Sequence, residues 1–136
     1  MRDRRPNRVR GPGHDDFWSY TARGELRLQR CQECQHLNWP AVPEACERCG
    51  ATHLVWERLS GRGTVISWCT FYQQYYPDVA VPYDTIVVQL EEGPLFISNP
   101  EGFTNNQVTY EVPVMVTYID AEDEAGPFRL PVFQLS

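Results

Sequence analysis

Short runs of alternating or mainly apolar residues, separated by Gly, Pro, Asn and acidic residues, cover most of the chain. Runs of this length and spacing predict β-strands rather than long helices. The predicted strands are residues 25–30, 53–59, 64–72, 85–90, 95–98, 113–118 and 128–134. The last five lie within about 75 residues and are joined by turns, which is typical of a small Greek-key barrel such as an OB-fold. A β-sandwich is the alternative, but it usually has about seven strands.

One short helix is predicted near the N-terminus, at residues 14–22. Acidic residues favour its start, Phe17 and Trp18 supply apolar bulk, and Gly24 ends it. Residues 1–13, which precede this helix, are rich in Arg, Pro and Gly and predict a disordered basic tail.

Four of the five cysteines form two C-x2-C pairs, Cys31 with Cys34 and Cys46 with Cys49, separated by eleven residues. A turn of this kind points two thiolates at one place, so the two pairs predict a tetrahedral site with four sulfur ligands. Zinc is the expected ion, and an iron centre of the rubredoxin type is the alternative. Four sulfurs leave no position for water, so the ion is expected to be structural and to stabilise a ribbon that has little core.

The remaining candidates for chemistry do not form a complete active site. Cys69 lies in a predicted strand and is expected to be a small buried residue, because it shares a face with Val65 and Phe71. His36 and His53 lie near the cysteine pairs and are expected at the surface or as hydrogen-bond donors to the ligands. The chain contains no lysine, which excludes Schiff-base and P-loop lysine chemistry, and it has no hydrolase, metalloprotease or dinucleotide-binding motif.

Aromatic residues crowd the end of the strand at residues 64–72 and the loop that follows it. Trp68, Tyr72, Tyr75 and Tyr76 are the candidates for a functional surface. On an OB-fold such residues can stack nucleic-acid bases, but they can equally form a protein interface or line an apolar ligand channel.

Charge argues against nucleic acid as the partner. Five arginines and one aspartate give residues 1–10 a charge of +4, and the whole chain carries −6, so residues 11–136 carry −10. A body this negative repels a phosphate backbone.

The chain also shows no apolar stretch long enough to span a membrane and no apolar segment of the secretory type, so a cytoplasmic protein with reduced cysteines is expected.

In the order of its motifs, the chain resembles the DUF35 family, in which a rubredoxin-like zinc ribbon precedes an OB-fold associated with acyl-CoA. The resemblance covers roughly residues 15–135. Its features are Phe17-Trp18 in the helix, Gly24-Glu25-Leu26 before the first cysteine pair, a proline between the pairs, Ser60-Gly61-Arg62-Gly63-Thr64-Val65, Pro82-Tyr83 and Leu130-Pro131-Val132-Phe133. With the cysteine pairs, this predicts a tail at residues 1–13, a short helix and zinc ribbon at 14–59, and a five-stranded OB-fold barrel at 60–136.

The resemblance implies a hetero-oligomer in which a thiolase-fold subunit supplies the catalytic residues. The chain would then be a non-catalytic partner that stabilises a thiolase, an acyltransferase or a thiolase-like aldolase and helps to shape its acyl-CoA channel. Acyl-CoA would be bound jointly by the two subunits, in lipid or steroid metabolism, and the four aromatic residues are the candidates for the interface or channel. The resemblance does not transfer CoA-contacting residues, because the family's motifs mark them poorly.

The sequence departs from the family pattern at Tyr110-Glu111-Val112-Pro113-Val114 and in the preceding segment, which is rich in Asn and Thr. This end of the barrel is therefore expected to have its own loop shape. A single-stranded nucleic-acid-binding OB-fold is the main alternative function, and a stand-alone redox or metal-storage protein is the other.

Overall fold

The computed structural model describes residues 3–136, so the first two residues of the predicted tail lie outside the described part. In chain order the elements are β1 (Asp3–Arg4), α1 (His14–Thr21), β2 (Arg27–Cys31), β3 (Leu37–Asn38), β4 (Leu54–Arg58), β5 (Arg62–Phe71), β6 (Tyr83–Leu90), β7 (Leu95–Ser98), a 3-10 helix (Asn105–Gln107), β8 (Val112–Asp123) and β9 (Gly126–Leu135). The predicted fold class, mainly β with a short N-terminal helix, is confirmed. The chain divides into two compact units, one formed by Val9–Ser60 and the other by the segment that ends at Arg8 together with Gly61–Ser136.

The unit formed by Val9–Ser60, called the ribbon unit, contains α1 and a three-stranded antiparallel sheet in the order β3-β2-β4. Its core is small. Phe17 of α1 is buried with Leu26 and Leu28, and the Phe17 ring lies 4.6 Å from the Trp39 ring between centroids. So few buried apolar side chains offer little stability to a unit of this size, which must gain stability from another source.

The other unit, called the barrel unit, contains five antiparallel strands in the order β7-β6-β5-β8-β9. The barrel closes where the chain leaving β7 meets β9. Here Pro100 and Phe133 form a parallel bridge, and the Phe133 carbonyl accepts a hydrogen bond from the backbone N–H of Glu101 at 2.7 Å. The closed five-stranded barrel is the predicted OB-fold. Its interior is filled by apolar side chains from the strands, including Val65, Ile86, Val88, Leu90, Phe96, Val114, Val132 and Phe133.

Strand β5 contains an irregularity that makes one prediction wrong. Its register against β6 shifts between Val65 and Ser67, which changes the face that each later residue occupies. Beyond this β-bulge the strand also loses its second neighbour, because its pairing with β8 ends at Val65. Cys69, predicted to be buried, is therefore exposed.

The hairpin of β8 and β9 is longer than the sequence predicts. The two strands pair from Val114 with Leu135 to Asp123 with Gly126. Most of the acidic segment 120–126, which separates the two predicted strands at residues 113–118 and 128–134, is therefore strand, and only Glu124 and Ala125 lie between β8 and β9. The strand continues because Ala121 is fully buried between its acidic neighbours, and because the charge of the buried Asp123 has a partner.

That partner is Arg8, which corrects the prediction of a disordered tail. Arg8 pairs with Asp123 at 2.8 Å, and the Asp123 side chain is only 1% exposed. The carboxylate accepts hydrogen bonds from the backbone N–H of Arg8 (3.0 Å) and of Ala125 (3.0 Å), and the Arg8 guanidinium lies 4.3 Å from the centre of the Phe128 ring. Residues 3–8, called the N-terminal arm, are thus attached to the barrel unit at the β8–β9 hairpin, where Asp123 satisfies the charge of Arg8.

The same contact fixes how the ion pair depends on pH. The side chain of Arg8, despite the opposing effect of burial, lowers the pKa of Asp123 from 3.8 to about 2. A carboxyl whose pKa is lower in the folded state stabilises the fold above its ordinary pKa and loses that contribution as the pH falls through the folded value. The Arg8–Asp123 pair therefore stabilises the folded state fully at neutral pH, and this stabilisation is lost only in strong acid.

Candidate metal centre and aromatic surface

The two C-x2-C pairs occupy two similar tight turns in the ribbon unit. Cys31 ends β2, and its carbonyl accepts a hydrogen bond from the backbone N–H of Gln35 at 2.9 Å. In the second turn the Cys46 carbonyl accepts a hydrogen bond from the N–H of Gly50, also at 2.9 Å. Each turn is completed by a residue with positive φ, Gln35 at 66° and Gly50 at 78°. Glycine adopts this backbone conformation without strain, which explains the glycine after the second pair.

The four sulfur atoms converge on one point. All four Sγ atoms lie within 4.8 Å of one another. The Sγ atoms of Cys31 and Cys49 are 3.5 Å apart, and those of Cys34 and Cys46 are 3.7 Å apart. A regular tetrahedron with metal–sulfur bonds of about 2.3 Å has edges of about 3.8 Å, so the spacing fits four-coordinate zinc. The structure thus brings together all four cysteines that the sequence proposes, and they are positioned to bind a metal.

The turns also supply hydrogen bonds to the sulfurs. The backbone N–H of Cys34 donates to the Cys31 sulfur at 3.5 Å, and the N–H of Arg48 donates to the Cys46 sulfur at 3.4 Å. Donors of this kind stabilise a thiolate, which is the form that binds a metal.

The pKa values of the thiols show how strongly they interact. Burial opposes ionisation of Cys46, but hydrogen bonds from the backbone of Cys49 and Arg48 outweigh burial and lower its pKa to about 6. At Cys49 a hydrogen bond from the Ala51 backbone favours the thiolate, yet the neighbouring sulfurs, Cys31 first, raise its pKa to about 12. Four sulfurs this close cannot all ionise without a cation among them, which is what a divalent metal supplies.

A second layer of polar residues holds the turns in place, and sequence reasoning missed it. Asn38 is fully buried, accepts a hydrogen bond from the Glu47 backbone at 2.9 Å and donates to the Gln29 carbonyl at 3.3 Å. The Gln29 side chain in turn bonds both the N–H and the carbonyl of Val42, each at 2.9 Å. A buried Asn or Gln close to a metal-binding motif is the sequence signal for such a layer, although its partners are visible only in the fold.

The two histidines near the pairs are not part of the four-sulfur cluster. His36 Nε2 lies 2.9 Å from a carboxylate oxygen of Glu47, and its side chain is 30% exposed. His53 is exposed. Within residues 3–136, the group of side chains arranged to hold a metal ion consists of the four cysteines.

The four predicted aromatic residues lie at one end of β5 and in the loop that joins it to β6, and all four are exposed. Their exposed fractions are 39% for Trp68, 76% for Tyr72, 60% for Tyr75 and 49% for Tyr76. Because exposed Trp and Tyr side chains are enriched at protein interfaces, these four residues, called the aromatic surface, are a candidate contact area of the barrel unit.

The loop that carries most of this surface, residues 72–82, is anchored at its base. Phe71 stacks on Tyr83 with ring centroids 4.9 Å apart and planes 15° apart, and it also meets the edge of Tyr75 at 6.3 Å. Beside them the Thr70 hydroxyl donates to Asp84 at 2.8 Å, and Asp84 accepts a second hydrogen bond from the Asn105 backbone at 2.9 Å. Asn105 belongs to the 3-10 helix, so this helix helps to support the base of the loop.

The thiol of Cys69 has no histidine within its own unit. All three histidines of the chain, at positions 14, 36 and 53, lie in the ribbon unit, so the barrel unit has no imidazole that could act as a base for this thiol.

Within residues 3–136, no helix combines the length and the apolar character needed to cross a membrane.

Two family models match consecutive parts of the chain. The model described as ChsH2, rubredoxin-like zinc ribbon domain, matches residues 18–55. The model described as ChsH2, C-terminal OB-fold domain, matches residues 56–126, which is more than half of the chain.

Three curated relatives are similar in sequence. A DUF35 domain-containing scaffold protein of Pyrococcus furiosus is 31% identical over 98 residues, covering 67% of this chain and 68% of that protein. A probable enoyl-CoA hydratase alpha subunit of Thermomonospora curvata is 29% identical over 119 residues and 87% of this chain. The 3-oxo-4,17-pregnadiene-20-carboxyl-CoA hydratase alpha subunit of Mycobacterium tuberculosis is 34% identical over 107 residues and 79% of this chain. The chain spans only 36% and 34%, respectively, of the lengths of these two hydratase subunits.

A solved structure named Ltp2-ChsH2(DUF35) aldolase contains a chain of the same fold. It superposes with a TM-score of 0.81, covering 95% of this chain and 98% of that chain, at 24% sequence identity. At this identity the similarity shows the fold alone.

Proposed function

Because the chain belongs to the DUF35 family, we propose that it is a non-catalytic accessory subunit of a thiolase-fold enzyme acting on acyl-CoA thioesters. Its role is to stabilise the catalytic subunit and to help shape the acyl-CoA channel, so that acyl-CoA is held jointly by both chains. The chemistry of the complex is then thiolase, acyltransferase or aldolase chemistry, carried out in the cytoplasm by residues of the partner.

The observation that carries this proposal is the aromatic surface, four exposed aromatic side chains on the barrel unit. Trp and Tyr are enriched at the centres of protein interfaces, where they contribute much of the binding energy. The names of relatives add support from a separate source, because two are subunits of enzymes acting on CoA thioesters, a third is a scaffold protein, and the structural neighbour bears the name of an aldolase.

The metal has a structural role in this proposal. The residues that would hold zinc are Cys31, Cys34, Cys46 and Cys49, and four sulfurs complete its coordination. When bound, zinc would cross-link the two turns and would not activate a water molecule. The ribbon unit, whose own core is small, is thereby fixed in one shape.

A second candidate partner is a CoA-thioester hydratase. The observation that favours it is the similarity to two hydratase alpha subunits, of which the matching region is about a third. With such a partner, the chain would be the accessory part of a hydratase and not of a thiolase-fold enzyme.

Nucleic acid is disfavoured as a partner, because residues 61–136 contain two arginines against ten acidic residues, a charge of −8.

Co-expression separates these candidates. The tagged full chain is produced together with a thiolase-fold protein from the same genome, or with a hydratase from that genome, and each mixture is purified through the tag. We expect the thiolase-fold protein to co-purify in a fixed ratio and the complex, but not the chain alone, to act on an acyl-CoA. Turnover of acyl-CoA by the purified chain alone would contradict an accessory role, and capture of the hydratase alone would transfer that role to the second candidate.

A further inference from the structure

The side-chain contacts between the N-terminal arm and the barrel unit are much more buried at one end of the arm than at the other. At its C-terminal end Arg8 and Asp123 form a nearly buried ion pair, with side chains 13% and 1% exposed. Next to this pair Asn7 exchanges two hydrogen bonds with Glu124, each 3.2 Å long. The N-terminal end of the arm is held by its backbone, because β1 pairs in parallel with β8, with Asp3 opposite Ala121, and the Arg5 N–H donates to the Glu122 carbonyl at 3.0 Å.

The side chains at the N-terminal end of the arm reach the loop at residues 72–82, called the aromatic loop, through long, exposed contacts. Arg4 pairs with Asp78, a residue of the loop, at 3.4 Å, and the two side chains are 46% and 56% exposed. Arg5 donates to the Asn99 side chain at 3.3 Å. Exposed pairs of this length contribute little individually, so these side-chain contacts depend on the backbone pairing with β8 and on the buried ion pair to keep the arm in place.

The contacts of Arg5 continue to the base of the loop. The Asn99 side chain donates to the Asp84 carbonyl at 2.8 Å. The Asp84 carboxylate in turn bonds Thr70, directly opposite it on β5. The arm is therefore connected to the aromatic loop by two routes, one through Asp78 at its far side and one through Asn99 and Asp84 at its base.

Between the arm and the loop lies a cavity of about 370 Å³. Asp3, Arg4 and Arg5 form one wall, and Asp78, Val79 and Ala80 of the loop form another. Without the arm this cavity would be an open face of the barrel, and the loop would lose its neighbour on that side.

Charge explains why the arm stays on the barrel. Residues 3–8 carry three arginines and one aspartate, a charge of +2, whereas residues 61–136 carry −8. The attachment sites are acidic residues of the β8–β9 hairpin and of the aromatic loop. An arm of this charge is attracted to that face, and the buried pair fixes its register.

We propose that the N-terminal arm is a strap, fixed by the Arg8–Asp123 pair, that holds the aromatic loop in the conformation presented to the partner subunit. Arg8 and Asp123 are thus positioning residues for a surface that neither of them touches. A loop ordered before binding loses less conformational entropy on binding, so the strap increases affinity through preorganisation. The part that concerns affinity rests on the proposed function, whereas the ordering of the loop does not.

Hydrogen exchange of the full chain tests the strap without any partner. In Arg8→Gln we expect backbone amides in residues 72–84 to exchange about tenfold faster, because local opening of the loop becomes easier. Amides of the β5–β6 ladder in residues 86–90 should be unchanged. Arg62→Gln is the matched control, since Arg62 forms an exposed surface pair with Glu91 in the same unit and should leave residues 72–84 unaffected.

A second variant keeps the test decisive if Arg8→Gln destabilises the whole barrel. Arg4→Gln removes only the exposed contact with Asp78 and leaves the buried pair intact, so exchange in residues 72–84 should rise by a smaller factor. Loop exchange that is unchanged in both variants would overturn the proposal.

Partner affinity, measured by titration calorimetry, should fall in Arg8→Gln and not in Arg62→Gln. Faster loop exchange with unchanged affinity would show that the arm orders the loop without contributing to partner binding. Failure of the unmodified chain to bind any partner would instead contradict the proposed function, and the exchange data would still decide whether the arm orders the loop.

Discussion

Replacing Cys46 with serine is expected to release the metal and to unfold the ribbon unit. Cys46 is 3% exposed and is one of the four converging sulfurs. A serine hydroxyl stays protonated at neutral pH and cannot replace a thiolate, so the site would keep only three sulfur ligands. Metal binding supplies on the order of 10–16 kcal/mol to small zinc modules. The net free energy of unfolding of an ordinary domain is only about 5–15 kcal/mol, so loss of the metal can remove all of the stability of the ribbon unit.

The measurement combines metal content by mass spectrometry with hydrogen exchange over residues 9–60. We expect the metal to be lost and the amides of β2 and β4 to lose their protection. The chain provides its own control in Cys69→Ser, because Cys69 is exposed and lies outside the four-sulfur cluster. A Cys46→Ser protein that melts at the same temperature as the unmodified chain would show that the ribbon does not depend on its metal.

Replacing Tyr76 with alanine is expected to weaken binding to the partner subunit by about 2 kcal/mol, or roughly thirtyfold. Tyr76 is 49% exposed, and its backbone carbonyl, not its ring, accepts the hydrogen bond from Val79 that shapes the loop. The substitution therefore removes a contact surface without removing a loop hydrogen bond. Tyr75 is less suitable, because its ring also packs against Phe71.

The experiment is a titration of the co-expressed partner with each purified variant. Tyr110→Ala is the matched control, since Tyr110 is an exposed tyrosine at 66% that does not belong to the aromatic surface. We expect Tyr76→Ala to lose affinity and Tyr110→Ala to retain it. Equal affinities for both variants would place the interface elsewhere on the molecule.

Much of the fold follows from local patterns that the sequence displays directly. The five barrel strands overlap the predicted ones, although β8 and β9 extend farther, because a strand with one buried and one exposed face carries alternating apolar and polar residues. The convergence of the four sulfurs follows from C-x2-C spacing, because a tight turn brings its two cysteines to the same side whatever surrounds it.

The features that the sequence did not predict depend on contacts between distant residues. The exposure of Cys69 follows from the β-bulge after Val65, and strict alternation cannot anticipate an inserted residue. The docked arm depends on Asp123, which is 115 positions away from Arg8, and composition alone makes such a segment resemble a frayed tail. The buried Asn38 and Gln29 behind the cysteine turns likewise reveal their roles only through partners elsewhere in the ribbon unit.

Four thiolates are expected to hold one structural zinc in the ribbon unit. Native mass spectrometry of the purified full chain, together with titration of reactive thiols, measures both the metal and the state of the sulfurs. We expect one zinc per chain and one readily reactive thiol, that of the exposed Cys69, with the other four reacting only after the metal is chelated. A metal-free, folded chain in which all five thiols react at once would contradict it.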